Sequence, residues 1–333
     1  ADLDISERRK PQDGKLKFTT TQANNVELRV ATLPTADGNE DVVLRILADS
    51  KPLPLIQIAP ERILERLVPV ISKPYGIFLV VGPTGSGKTT TLHSVLRYIN
   101  TPEKKIWTAE DPVEITQYRL RQVQVKPYIG YTFAAAMRAF LRADPDVIMI
   151  GEMRDQETAK MGIEASLTGH LVFSTLHTNS AAETIIRLID MGMDPFNFSD
   201  ALLGVLAQRL VRTLCNECKE PYNPTKQEYD HLVHHYGALF FEQLNIHYSK
   251  DLTLFRSNGC DECNGSGYKG RKGLFELLVA NRHIKDQIIR REPAEEIKLA
   301  AIDDGMTVLL QEGIHLIFDG LTDLKQVMST CML

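Results

Sequence analysis

The chain has 333 residues, 43% of them hydrophobic and 24% charged, with a net charge of -5. That length suggests two or three domains with a substantial core. The acidic balance argues against a general polyanion binder and leaves room only for a local basic patch. No apolar run approaches the roughly twenty residues of a spanning helix, and no signal-peptide pattern opens the sequence. Any membrane association is therefore expected to be peripheral or through a partner. The chain starts Ala1-Asp2-Leu3-Asp4, in what reads as mid-domain sequence, so a preceding segment is expected.

Residues 1–70 read as a small α/β domain with a linker. Asp13-Gly14 is a turn signal. Two alternating segments, Val26 to Leu33 and Asp41 to Leu47, read as a hairpin around the turn-rich Pro34-Thr35-Ala36-Asp37-Gly38-Asn39. Parity puts Leu28 and Val30 on one face of the first strand and Val42, Leu44 and Ile46 on one face of the second. Arg29 and Arg45 point the other way, where they read as solvated charge. Lys51-Pro52-Leu53-Pro54 suggests a linker.

Residues 71–213 alternate strand and helix, which implies a parallel sheet covered on both faces. The expected strands are Ile77–Val81, Lys105–Ala109, Arg121–Val125, Val147–Ile150 and Leu171–Leu176. The expected helices include Phe133–Ala143, Glu157–Thr168 and Ala181–Met191. Between the first strand and the segment Thr90 to Tyr98 lies Gly82-Pro83-Thr84-Gly85-Ser86-Gly87-Lys88-Thr89. This is the G-x-x-x-x-G-K-[ST] phosphate loop in strand–loop–helix context. Its glycines let successive N–H groups face phosphate oxygens, and the helix start adds a positive dipole end. Lys88 would reach the β- and γ-phosphates, the Thr89 hydroxyl would hold Mg²⁺, and Thr90 completes the nucleotide-contacting stretch. A nucleoside triphosphate, with Mg²⁺, is the expected ligand.

Val147–Ile150 delivers Glu152 to the carboxyl edge of the sheet, where it would orient a water or help hold Mg²⁺. At least one strand is expected between it and the phosphate-loop strand. Glu110, in Glu110-Asp111-Pro112-Val113-Glu114, ends another strand and opens onto the same edge, although an Asp-Pro turn explains that stretch nearly as well. His177, in Leu176-His177-Thr178-Asn179, is placed to hydrogen-bond a phosphate oxygen. Arg138 and Arg142 stand at i and i+4 of one helix, and Arg154 follows Glu152. These three read as ion-pair partners, triphosphate ligands or boundary residues between subunits.

Residues 214–275 form an irregular insert bounded by Cys215-Asn216-Glu217-Cys218 and Cys260-Asp261-Glu262-Cys263. Two C-x-x-C knuckles with nearby glycines suit a closed tetrahedral Zn²⁺ site; redox or incidental cysteines are the alternative. The gap between the pairs is about forty residues, against the usual fifteen to twenty or so, so the intervening segment must loop out. It contains a helix-compatible stretch, Asn223–Phe241, with His231, His234 and His235. Residues 276–333 read as a helical tail of short helices broken at Gly305, Gly313 and Gly320.

Taken together, these motifs resemble the hexameric secretion and pilus-assembly ATPases of type II secretion and type IV pilus systems. The phosphate loop Gly82–Thr89, the "Asp box" Thr108–Glu114, the Walker B strand ending Gly151-Glu152-Met153-Arg154-Asp155 and the "His box" Thr168–Asn179 occur in that family's order over nearly the whole chain. The resemblance implies a RecA-like P-loop core preceded by a PAS-like domain. It also implies a homo-hexamer that hydrolyses ATP at the cytoplasmic face of the bacterial inner membrane, docked on a membrane platform protein, with no nucleic acid expected. It promotes Arg29 and Arg45 to site residues that reach the triphosphate on domain closure or across the subunit interface, where an arginine finger is worth roughly 10³–10⁵ in rate. Arg138, Arg142 and Arg154 match arginines near the nucleotide or ring interface. Glu152 matches the catalytic glutamate and Glu110 an assisting acid. The tetracysteine set points to the extension and secretion branch (GspE and PilB type) over the retraction (PilT) type. That branch's further N-terminal domain is not in the sequence. The alternatives are a nucleotide-gated scaffold with little turnover and a DNA-translocating secretion ATPase.

Overall fold

The structure is a computed structural model and describes residues 3–19, 25–47 and 51–331. Its described residues fall into two units, 1–52 with 113–118, and 53–112 with 119–333.

The first unit is built on β1 (Gln12–Thr19), β2 (Asn25–Pro34) and β3 (Glu40–Leu47), an antiparallel meander in the order β1-β2-β3. The expected hairpin is β2–β3, and the third strand is a correction to the sequence reading. Asp13-Gly14 does not turn the chain but lies inside β1, where Gly14 faces Val30. Parity holds, with Leu16, Leu28 and Ile46 in one cross-strand row and Lys15, Arg29 and Arg45 in the next. On the apolar side Val30 is buried, but the β3 residues are open, with Leu44 56% and Ile46 71% exposed within the described residues. No α-helix lies among the described residues of this unit. The last part of the stretch read as N-terminal domain and linker, residues 55–70, forms α1 (Leu55–Ile58) and most of α2 (Glu61–Ile71), which pack in the second unit against its core.

The second unit is organised by a seven-stranded sheet. In chain order its elements are β4 (Gly76–Val81), α3 (Lys88–Ile99), β5 (Ile106–Glu110), β6 (Arg121–Gln124), α4 (Phe133–Phe140), β7 (Val147–Ile150), α5 (Gln156–Leu167), β8 (Leu171–Leu176), α6 (Ala181–Asp190), α7 (Pro195–Ala201) and β9 (Leu202–Leu214). The insert follows as β10 (Glu220–Tyr222), α8 (Lys226–Tyr236), α9 (Ala238–Phe241) and β11 (Leu254–Arg256). The chain then returns through β12 (Tyr268–Val279) to α10 (Arg282–Arg290), α11 (Ala294–Asp303), α12 (Leu309–Phe318) and α13 (Leu324–Cys331). The sheet order is β12-β9-β4-β8-β7-β5-β6, parallel except for the antiparallel β12–β9 pair.

Strands buried on both faces read as largely apolar runs, which is why β4, β7 and β8 (the last broken only by Ser174 and Thr175) were legible in the sequence. Their alternate residues feed two cores. Ile77, Leu79, Ile148 and Val172 pack on one side, and Phe78, Val80, Met149 and Phe173 on the other. Side-chain caps begin the following helices where the strands end: Thr132 accepts from Ala135 N, Asp155 from Thr158 N and Ser180 from Glu183 N. A third core joins α8, β12, α12 and α13 through Tyr229, Leu232, Leu274, Ile314, Ile317 and Val327. Gly305 and Gly320 end helices with positive φ, as expected, but Gly313 does not break its helix. It sits inside α12, where a Cβ would lie 2.4 Å from Val327 Cγ1, so the glycine serves close packing.

Candidate nucleotide site

The phosphate loop wraps from the end of β4 to the first turn of α3. Gly82, Gly85 and Gly87 all hold positive φ, at 147°, 79° and 89°, which only glycine adopts without strain. Gly82 is fixed twice over, because a Cβ there would sit 2.4 Å from the carbonyl oxygen of Gln208 on β9. Lys88 is half-buried, and its Nζ donates to Gly82 O at 2.8 Å and Pro83 O at 3.0 Å. Burial lowers its pKa and the nearby Glu152 carboxylate opposes that shift. Thr89 and Thr90 follow in the first turn of α3, half-buried. Thr84 and Gly85 are exposed at the tip, and Ser86 is buried beneath it.

One strand, β8, separates β4 from β7, as the sequence reading expected. Glu152 follows β7, and its backbone neighbours are tied to β5 and β8: Gly151 N donates to Ala109 O, and Thr175 Oγ1 donates to Gly151 O at 2.6 Å. Its carboxylate pairs with Arg154 Nη2 at 2.7 Å and faces His177 Nε2 at 3.3 Å. The hydrogen bond and charge of Glu152 raise the Arg154 pKa. Lys88, Glu152, Arg154 and His177 thus form one polar cluster at the carboxyl edge of the sheet, where ligands of open α/β folds bind.

Glu110 stands differently. It is buried, and both carboxylate oxygens are engaged: Oε1 accepts from Thr108 Oγ1 at 2.6 Å and Gln122 Nε2 at 3.0 Å, and Oε2 meets His93 Nε2 at 3.0 Å. His93 belongs to α3, so this carboxylate braces the phosphate-loop helix against β5 and β6. Nothing in the sequence signalled that brace, since His93 and Gln122 lie far from Glu110 along the chain.

Arg138 pairs with Glu157 on α5. Helix α4 ends at Phe140, so Arg142 lies beyond it, exposed, and the two arginines do not share a continuous helical face to Ala143 as expected. Arg29 and Arg45 lie in the first unit, directly opposite each other on β2 and β3, with Arg29 3.5 Å from Asp13.

The four cysteines converge. The sulfur atoms of Cys215, Cys218, Cys260 and Cys263 all lie within 4.8 Å of one another. The pairs 215–260 and 218–263 are 3.9 Å apart and 260–263 is 3.7 Å apart. Tetrahedral Zn²⁺ with Zn–S bonds of roughly 2.3 Å sets sulfurs about 3.8 Å apart, so the set fits that ion. Backbone N–H groups of Gly259 and Gly267 point at Cys218 and Cys263 sulfurs, at 3.3 and 3.2 Å, as thiolate-binding knuckles require. Four sulfurs leave no open position, which fits a structural ion.

A glycine-rich loop on a parallel sheet, with a strand-end glutamate one strand away, defines a P-loop nucleotide-binding protein. A profile of type II/IV secretion system proteins matches residues 1–329, and the chain belongs to that family. It is 46% identical over 330 residues to the type IV pilus assembly ATPase PilB of Thermus thermophilus, covering 98% of this chain and 36% of that protein. It is 44% identical over 330 residues to the type II secretion system protein E of Pseudomonas aeruginosa, covering 98% of this chain and 63% of that protein. The chain thus spans between about a third and under two-thirds of these relatives. Among solved structures, the pilus retraction motor PilT with bound ADP superposes with a TM-score of 0.68 at 26% identity, over 98% of this chain and 80% of that one. No helix among the described residues is long and apolar enough to cross a membrane.

Proposed function

We propose that this chain is the motor portion of an ATPase that hydrolyses ATP and drives pilin or pseudopilin assembly at the inner face of a bacterial inner membrane. The observation that carries the reading is Glu152, delivered by β7 one strand away from the phosphate loop and held by Arg154 and His177. The loop N–H groups and Lys88 would hold the phosphates and Thr89 would hold Mg²⁺, which neutralises developing phosphate charge. Lys88 exchanges its two carbonyl partners for phosphate oxygens. Glu152 orients the attacking water, and His177 contacts the γ-phosphate side. Glu110 acts by bracing α3. Zn²⁺ held by Cys215, Cys218, Cys260 and Cys263 would be structural.

The sheet order supports a RecA-like core, and the three-stranded meander is compatible with the sheet of a PAS-like domain. In that sheet Lys15, Arg29 and Arg45 form a cross-strand row of cations. Like charges directly opposite are destabilising. Arg29 already has Asp13 at 3.5 Å and Lys15 donates to Val113 O, so Arg45 is the cation of this row on which a triphosphate would act most directly. This supports Arg29 and Arg45 as triphosphate ligands in a homo-hexamer that docks on a platform protein. Arg138 and Arg142, both exposed, are assigned to the ring interface. The four-part division at 70, 213 and 275 is kept as a functional plan, with α1 and α2 packed in the second unit and β9 and β12 of one sheet running across the last two limits.

The test is Mg²⁺-dependent phosphate release by assembled rings. Glu152→Gln should keep ATP binding and lower turnover by about 10²–10⁴-fold. Unchanged turnover would overturn the assignment.

A further inference from the structure

We infer that Gln208 is a positioning residue that sets the phosphate loop for nucleotide, an inference resting on the nucleotide-site reading above. Gln208 lies in the middle of β9, buried, in a strand that is otherwise almost wholly apolar on that face. Its Nε2 donates to Ser86 O at 2.6 Å. Reversing the amide would bring two oxygens to that distance, so the donor assignment is fixed by chemistry.

The contact matters because of what Ser86 O belongs to. In a trans peptide the carbonyl of Ser86 and the N–H of Gly87 are coplanar and point in opposite directions. Tethering the carbonyl to β9 therefore turns the Gly87 N–H away from β9, as phosphate-facing N–H groups of such a loop require. Gly87 is free to rotate about this peptide, since its φ of 89° lies where no Cβ restrains it. Without a tether that peptide can flip, and one cradle donor is lost.

Two further observations place β9 directly beneath the loop. A Cβ on Gly82 would meet the Gln208 carbonyl at 2.4 Å, and one on Gly87 would meet Gln208 Nε2 at 3.1 Å. Gln208 Oε1 and Ser86 Oγ are both buried without a hydrogen-bond partner. The Nε2–Ser86 bond is thus the polar link between side chain and loop.

The test uses the chain as it stands, with ATP affinity measured by titration and steady-state hydrolysis measured alongside. Gln208→Leu should weaken ATP binding and raise KM by about 5- to 50-fold, the loss of one buried hydrogen bond. It should leave kcat within about threefold, as loss of uniform binding does. Gln208→Glu supplies the readout that packing alone does not move. Its neutral carboxyl donates to Ser86 O and its carboxylate repels it. The ATP affinity of that variant, as a ratio to wild type, should therefore rise as pH falls from about 8 to about 6, burial favouring the neutral form. Wild-type affinity in Gln208→Leu, or no acid recovery in Gln208→Glu, overturns the inference and leaves the ATPase reading intact. Failure of the wild-type chain to bind ATP overturns the reading itself. Should Gln208→Leu fold poorly, the pH comparison within Gln208→Glu still decides.

Discussion

Replacing Glu110 should cost the fold before it costs catalysis. Glu110→Ala removes an acceptor used by Thr108 at 2.6 Å, Gln122 at 3.0 Å and His93 at 3.0 Å, all in a site the carboxylate shares with almost no solvent. Hydrogen bonds to a charged group contribute about 1.5–3 kcal/mol each. They are not additive here, because the three donors share one carboxylate. Deleting one member of a buried charged network costs about 3–5 kcal/mol in practice, and the emptied carboxyl volume adds to that. At roughly 2–4 °C per kcal/mol for a body of this size, the unfolding midpoint should fall by about 6–20 °C. Thermal unfolding without nucleotide, followed by circular dichroism, measures it. Glu152→Ala is the internal control, because its carboxylate sits at the rim and its loss should move the midpoint by less than about 3 °C. A midpoint for Glu110→Ala within 2 °C or so of wild type would refute the bracing role and return Glu110 to the hydrolytic site.

Two other perturbations bear on parts of the chain remote from Glu152. With Zn²⁺ at the proposed tetracysteine site, wild type purified without added metal should carry about one zinc per chain by metal analysis, and Cys263→Ser should lose it and unfold at a lower midpoint; near-stoichiometric zinc in the variant would exclude the proposed ligand set. Glu276 is buried on β12, accepts from Ala181 N at 2.8 Å, and has its pKa raised by burial. The folded chain therefore binds this proton more tightly than the unfolded one, and stability falls as pH rises above the ordinary value of 4.5 toward the raised one. Glu276→Gln keeps the acceptor and removes the titration, so its stability relative to wild type should increase from pH 4 to pH 8 or so; a gap independent of pH would contradict the sign.

The parts of this fold legible in sequence were those governed by local pattern. The apolar runs of β4, β7 and β8 fall at or within a residue of their expected limits, because their shortness, β-branched content and flanking turn residues favour strand over buried helix. The glycines and Lys88 of the phosphate loop carry their own geometry. In the first unit, alternation sorted Arg29 and Arg45 onto one face, but period two says which residues share a face and not which face is covered. Hence Leu44 and Ile46 are open where an inward face was expected. Gly313 shows the same limit, since its helix is continued by packing on Val327 that no window around it contains. Glu110 was found as a strand-end acid, and its partners were not, because His93 and Gln122 reach it through tertiary structure. The one available signal for Gln208 was a polar pair, Gln208-Arg209, interrupting an apolar strand.

That pair also shows why the insert does not stand apart from the nucleotide site. On β9 the side chains of Gln208 and Arg209 leave opposite faces. Gln208 holds Ser86 of the phosphate loop, while Arg209 Nη2 donates to Asn179 Oδ1 at 3.1 Å, two residues past His177. The adjacent strand β12 places Glu276 opposite Ala207, where it receives the first N–H of α6. The same two strands run on to the cysteine knuckles, Cys215 immediately after β9 and Cys263 shortly before β12. The four sulfurs, within 4.8 Å of one another, draw together the far ends of the two strands that hold both the loop and the His177 segment, and a tetrahedral ion there would fix their register. A shift of that ladder by one residue would turn Gln208 to the Asn179 face and Arg209 to the loop. Zinc held by these cysteines would thus act on the nucleotide site through strand register, along β9 to Ser86.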